Sequence, residues 1–475
     1  MHALTVPLIA DLGRVARRAL YCTLLAIALI GHGSSSSFAS AQPTEEQITA
    51  YQSMNEAQRV KLLIELTKRD NPDLAEYLLK TYPLTGEYAG NRTLFIEGMI
   101  FKARQQYAAA ARKFRAALAD DPTLTLVRAE LAETLYLMGD DDSAKHHLDL
   151  LLGVAPTAEQ ARDIESFIQA IDARRPFTLN AYVSVAPSTN INNGTKQNVI
   201  YIDGLPFVID SQSKQKSGVG IAAGFNAGYT KRLDEFMTAV IAGGANVTLY
   251  GESKYNQYLI NQVAELRLDT DAGYLGLGAI ASQQLYGDLV SEETFPDLTG
   301  SVSSYSVGPR VSLFHHFAQD LAFNGDIIVQ RQEFADRAYQ NAWNTTVDGK
   351  LNKIFATDLS GYVSGYVQRN QTADREDLDY WAFFGGAGVY KEMTWGITAT
   401  ADLELGRTLY DGDFPLMFEP RKDWQFDATI SLWKRDWNLW GVAPVIEYSF
   451  TYNNSNIAFY EYTDNTVDLR LTKQF

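Results

Sequence analysis

At Pro176 the sequence changes its period, and that change limits what the whole chain can fold into. Before it the apolar residues recur at helical spacing in an Ala-, Leu-, Glu- and Arg-rich stretch with no tryptophan. After it come all seven tryptophans, abundant Tyr and Gly, and strict alternation of apolar and polar residues. Side chains of a strand point to opposite faces with period two, so the second part reads as strands with one apolar side. Arg174-Arg175-Pro176 marks the boundary, because proline cannot continue a helix. The reading is of a multidomain chain, an α-solenoid over 42–176 followed by β structure over 177–475.

Residues 1–41 read as a signal peptide. Arg14, Arg17 and Arg18 form a positive region, Ala19–Ile30 is apolar, and Ala39-Ser40-Ala41 is a small-residue cleavage site. The apolar run is too short for a spanning helix, which needs ~20 residues. Its Cys22 is the only cysteine, so the mature chain has no disulfide or thiol chemistry. Net charge is −16 for the whole chain, and −18 once the three arginines and one aspartate of residues 1–41 are removed. That charge argues against nucleic acid as a partner. No later apolar run reaches spanning length, so membrane entry would require a closed barrel, which leaves no sheet edge unpaired in lipid.

The helical part contains a repeat. Gly98, Phe101, Tyr107, Ala110, Phe114, Ala117 and Pro122 sit at the spacings of a tetratricopeptide repeat. A step of 34 residues gives Ala132, Leu135, Asp141, Ala144, Leu148, Leu151 and Pro156, with Asp141 departing from Tyr107. The small residues permit close helix crossing, the large ones fill the seam, and each proline ends its second helix. A degenerate copy occupies 57–90, and 157–174 form a capping helix. Such solenoids bind peptides or proteins on a concave surface.

The second part divides into fourteen strands: 177–186, 216–231, 236–250, 255–269, 273–286, 302–316, 320–333, 340–354, 357–369, 379–391, 395–409, 420–434, 437–452 and 459–475. In "FDATISL", Phe426, Ala428, Ile430 and Leu432 alternate with Asp427, Thr429 and Ser431. Connections after even strands are tight ("RLDE", "TDAG", "FAQD", "IFAT", "KEMT", "KRD"), and those after odd strands are mostly longer. Short periplasmic turns, long external loops and an even strand number are the signature of an antiparallel transmembrane barrel of the outer membrane. Both barrel ends fall on the short-turn side, which puts the N-terminal domain in the periplasm. Trp395, Trp433 and Trp437 are expected in the periplasmic aromatic girdle. The last strand, "NTVDLRLTKQF", sets Val467, Leu469, Leu471 and Phe475 on one face. Its alternation and terminal aromatic resemble the signal recognised by the barrel-assembly machinery.

Catalytic patterns are not supported. After the signal the histidines are His146-His147 and His315-His316. Neighbours on a strand face opposite ways, so His315 and His316 cannot form one site. His146-His147 reads as solvated helix surface, and Gly385–Gly388 as tight strand packing. The chain is read as a non-enzyme with no cofactor and no metal.

A signal peptide, a short repeat domain and a C-terminal fourteen-stranded barrel resemble the surface lipoprotein assembly modulator (Slam) family of Gram-negative bacteria. Asn190, Ile191 and Asn192, just after the first strand, resemble its Asn-Ile-Asn motif. The resemblance implies an outer-membrane translocon that moves lipoproteins, or soluble haem-carrying proteins, from periplasm to surface. Its partners would be that cargo protein, the barrel-assembly machinery and outer-membrane lipid. A polysaccharide exporter, a host-association surface barrel, a passive porin and a barrel lipid hydrolase are the rivals. Residues 177–475 hold 35 acidic and 22 basic residues, which disfavours an anionic polysaccharide.

Overall fold

The computed structural model describes residues 44–473 except 70, 175, 203, 212, 288–301, 336, 416, 435–436 and 438–441. The expected leader and the terminal Phe475 lie outside the described residues. A helical unit and a strand unit make up the chain.

The helical unit contains α1 (Glu45–Ser53), α2 (Glu56–Lys68), α3 (Pro72–Thr81), α4 (Ala89–Ala103), α5 (Tyr107–Asp120), α6 (Thr125–Met138), α7 (Asp141–Leu152) and α8 (Ala158–Arg174). Local signals set several ends. Asn55 caps α2, accepting from the N–H of Gln58 at 2.9 Å while the Gln58 side chain accepts from the Asn55 N–H at 2.9 Å. Gly139 ends α6 with φ 80°, a left-handed cap that favours glycine. The seam is mostly apolar: Leu63, Ile96, Phe114, Leu131, Leu135 and Leu148 are buried.

Gly98 shows why the repeat needs a small residue. A Cβ there would lie 2.4 Å from the Phe114 ring, itself fully buried and unable to retreat. Gly98→Ala is expected to destabilise the helical fragment 42–175 by about 1–3 kcal/mol through overpacking. Urea unfolding followed by far-UV circular dichroism measures this; an unchanged midpoint would refute the packing account.

The strand unit is a closed barrel of β1 (Phe177–Ser188), β4 (Gly218–Arg232), β5 (Met237–Leu249), β6 (Gln257–Thr270), β7 (Gly273–Tyr286), β8 (Val302–Ala318), β9 (Leu321–Phe334), β10 (Ala342–Ala356), β11 (Leu359–Thr372), β12 (Tyr380–Glu392), β13 (Ile397–Asp413), β14 (Pro420–Lys434), β15 (Val442–Ser455) and β16 (Tyr462–Lys473). Every pairing is antiparallel, and β1 closes the sheet against β16. Ile241, Leu277, Ile327, Val363, Leu403, Ile430 and Leu469 are exposed on the outer wall. The alternate positions turn inward and are mostly polar or glycine. An apolar outside with a polar inside is stable only in lipid, so the chain is an outer-membrane barrel protein with its N-terminal domain in the periplasm.

Three details differ from the sequence reading. First, the connection 189–217 contains a separate hairpin, β2 (Val199–Ile202) and β3 (Leu205–Val208). Second, β13 runs from Ile397 to Asp413, where 395–409 was expected; the start of β15 expected at 437 adjoins 438–441, which lie outside the described residues, and the strand is described from Val442, paired with Lys473. Third, Trp433 is not a girdle residue. It alternates with the exposed Ile430 and Leu432, so it faces inward, where its ring lies 6.0 Å from that of Tyr390. Trp395 and Trp437 are exposed. An aromatic belt does occur at the long-loop end, formed by exposed Trp343, Trp381 and Trp424.

Gly385–Gly388 lies inside β12. A Cβ on Gly388 would come within 2.3 Å of the Tyr362 ring, so the glycine makes room for an aromatic laid across the inner wall.

Candidate functional site

Two features are candidates, the inner wall of the barrel and the first external loop. The inner wall is charged and its two sides differ. Across β6 to β9 the charges are paired. The Glu265 carboxylate accepts from Arg267 at 2.6 Å, Arg310 at 2.9 Å and the Ser312 hydroxyl at 2.7 Å, and Arg310 also meets Asp326 at 2.7 Å. Across β13 and β14 carboxylates accumulate. Glu404 and Asp427 are direct cross-strand partners, both inward, and neither has an ion pair among the described residues. Like charges placed opposite each other disfavour the sheet. Asp427 is held by Thr451 at 2.6 Å and Gln425 at 2.7 Å, and Asp402 accepts from the Tyr362 hydroxyl. This side presents a negative, aromatic-lined surface; Tyr366 and Phe384 stack at 4.7 Å with 5° between their planes.

The first external loop begins where β1 ends. Asn190 is 2% exposed. Its side-chain amide donates to the carbonyls of Gly194 at 3.0 Å and Thr463 at 3.2 Å, and its Oδ1 accepts from the Gly194 N–H at 2.9 Å. Asn192 donates to the Lys214 carbonyl at 2.8 Å and accepts from the Lys216 N–H at 2.9 Å. The Ile191 N–H donates to the Lys216 carbonyl at 2.8 Å, and the Ile191 side chain packs so close to Gly218 that a Cβ there would lie 2.9 Å from its Cδ1. Asparagine suits this work because one side chain donates and accepts like a peptide group. The motif binds the two ends of the loop together.

The loop is also tied to the last strands. Ser188 and Thr189 donate to the Asp464 carboxylate at 2.8 and 3.1 Å, and the buried Thr195 hydroxyl donates to the Ala458 carbonyl at 3.0 Å. Asn190, Thr195 and Asp464 thus lock the external end of the β1–β16 closure. The last two were not singled out in the sequence, since their role depends on contacts more than 260 residues apart in the chain. The hairpin was missed, although Asp203-Gly204 between apolar runs is a signal that could have found it.

In the helical unit Ala110, Phe114, Ala117, Ala132, Ala144 and Leu148 are buried in one core, Phe101 packs on it, Tyr107 is partly exposed and Pro156 is exposed. Pro122 accepts at its carbonyl from buried Arg128 at 2.8 Å. His147 is not solvated surface. It is buried with Nδ1 3.2 Å from Arg128, because its helix turns that face to the seam. Asp141, the departure from the repeat, receives Arg174 from the capping helix, whose guanidinium stacks 3.9 Å over Tyr136. Lys102 bridges Glu130 at 2.6 Å and Glu133 at 2.8 Å; burial pushes the ammonium down, and the two carboxylates outweigh it and hold it above its usual value. Leu469 and Leu471 are exposed on the outer wall of β16.

Residues 177–475 match the family model described as surface lipoprotein assembly modifier. The chain belongs to that family. Residues 102–165 match a tetratricopeptide repeat model. The chain is 21% identical to surface lipoprotein assembly modifier 1 of Haemophilus influenzae, over 88% of this chain and 84% of that protein. It is 22% identical to the surface lipoprotein assembly modifier of Moraxella catarrhalis, over 91% and 86%. The hemophilin secretion modulator of Acinetobacter baumannii is 20% identical, over 81% and 79%. The first two alignments, at 88% and 91% of this chain, extend beyond the barrel into the helical part.

Proposed function

We propose that this family member moves particular lipoproteins, or soluble haem-carrier-type proteins, from the periplasm to the cell surface. The helical repeats bind the cargo, and the barrel conducts it. In this reading the chain is a carrier and conduit and not an enzyme. The observation that carries the reading is the family match over the whole barrel, joined on one chain to a protein-binding repeat. The names of the relatives, which include a hemophilin secretion modulator, fit protein cargo. The unpaired carboxylates of β13 and β14 disfavour a polyanionic cargo. The barrel-assembly machinery acts as a partner at insertion.

The test is co-expression in a Gram-negative host lacking the family, with the secreted proteins encoded beside this chain. Antibody labelling of intact cells should detect one of them at the surface only when the chain is present. Deleting residues 42–174 behind the leader should leave an inserted barrel and abolish display. Undiminished display would remove the repeats from the mechanism, and no display of any neighbour with the intact chain would sink the export reading.

A further inference from the structure

The outer wall carries a feature that export does not use. Arg331 lies opposite Trp343, Arg369 opposite Trp381 and Arg407 opposite Trp424, each pair spanning one hairpin at its long-loop end. The guanidinium carbons stand 5.9, 5.3 and 4.8 Å from the ring centres. The three tryptophans are exposed and share the face of Ile327, Val363 and Leu403, so all six side chains face lipid. The arginines recur at intervals of 38 residues along the sequence. The matching positions on β4 to β7 are Ile221, Leu249, Tyr258 and Leu285, with no cation.

A guanidinium facing hydrocarbon is costly unless it reaches an anion or water. Two of the three have a carboxylate nearby. Arg331 is 3.5 Å from Glu333, and Arg369 is 2.6 Å from Asp411 and 4.0 Å from Asp379. Arg369 nevertheless keeps a buried Nη1 without a hydrogen-bond acceptor, and Arg407 has no ion pair among the described residues. Among the described residues Arg407 has no carboxylate on its N–H groups, while at Arg331 and Arg369 a phosphate would compete with Glu333 and Asp411 for a guanidinium that can bind it in a two-pronged way.

Below Arg369 on the same face lies a trough. Gly349, Gly365 and Gly385 are in register, and with Val347, Val367 and Phe383 they line a depression of about 520 Å³. A cationic row above an apolar trough fits an amphiphile with a phosphate head and an acyl chain. We propose that this sector of β9 to β14 binds lipopolysaccharide of the outer leaflet, with its phosphates on the three arginines and an acyl chain in the glycine trough. A free phosphate would use only the first part, and a surface held by acyl chains alone would use only the second.

The experiment uses the full chain purified in detergent, with variants first checked for the heat-modifiable mobility of a folded barrel. Binding of rough-type lipopolysaccharide is measured by native mass spectrometry and by titration. R331Q/R369Q/R407Q should weaken binding roughly ten-fold or more, as expected when three charge-assisted phosphate contacts are removed. Dephosphorylated lipopolysaccharide should bind the wild type as weakly as intact lipopolysaccharide binds the triple variant. Asp411→Asn, which removes a competing carboxylate, should tighten binding. If the triple variant fails to fold, Arg407→Gln alone carries the test, since Arg407 holds no carboxylate and its loss should still weaken binding. Equal binding of intact and dephosphorylated lipid, or no change in the arginine variants, would overturn the proposal. Phosphatidylglycerol displacing lipopolysaccharide at equal concentration would overturn it as well, by reducing the sector to a general anionic contact.

Discussion

Replacing Asn190 and Asn192 together by alanine is expected to open the first external loop while leaving the barrel closed. The double change removes the partners of five backbone groups: the N–H and C=O of Gly194, and the C=O of Thr463 and Lys214 with the N–H of Lys216. At about 1 kcal/mol net per hydrogen bond the loop loses on the order of 5 kcal/mol of closure, more where a group stays buried. The barrel ladder itself loses nothing, because β1 keeps its register with β4 from Phe177 to Ser188. Trypsin on intact cells should then cut at Lys196, Lys214 or Lys216 faster than in the wild type, and heat-modifiable migration should persist. Asn190→Asp should be intermediate, since a carboxylate can accept from Gly194 but cannot donate. Unchanged protection in the double variant would disprove the lacing role. Cargo display measured on the same cells separates two consequences. Lost display with an intact barrel gives the loop a part in transport, lost assembly gives it a structural part alone, and wild-type behaviour in both assays leaves the motif without a special role.

The barrel was readable because its physics is local. Period-two alternation over each strand and the rhythm of short and long connections determine strand number, closure and sidedness without any knowledge of contacts. The repeat was readable for the same reason: Gly98 and Phe114 are sixteen residues apart and meet across one helical turn-back. What the sequence hid depends on closure of the sheet. Asn190 reaches Thr463, and Thr195 reaches Ala458, only because β16 returns beside β1. Trp433 was misplaced because the aromatic signal near a turn does not say which way the residue points; the register against Thr398 does. His147 was misread because the small apolar repeat positions define the seam, and a polar residue beside them gives no sign that buried Arg128 awaits it. The Arg–Trp pairs were present as a fixed spacing, but spacing cannot tell a lipid-facing pair from an inward one.

Deleting Phe475 is expected to deplete the chain from the outer membrane more severely than any single substitution within a strand. Leu469 and Leu471 are exposed on the outer wall of β16, and by sequence alternation Phe475 continues that face. Among the described residues the β1–β16 closure has the shortest ladder in the barrel, with register partners from Tyr182 and Thr472 to Ser188 and Thr466. Its strand β16 resembles the signal read by the assembly machinery. The described pairings of β16, with β15 from Tyr462 to Lys473 and with β1 from Thr466 to Thr472, all lie upstream of Phe475. A stability defect should therefore be small, while a recognition defect should be nearly complete. Refolding the purified chain into detergent micelles tests the first, and fractionation of cells tests the second. The expected pair of results is wild-type heat-modifiable folding in micelles and a periplasmic or degraded product in cells. Failure in both would make Phe475 a structural residue of the closure. Normal insertion in cells would show that Leu469, Leu471 and the rest of the strand carry the signal without it.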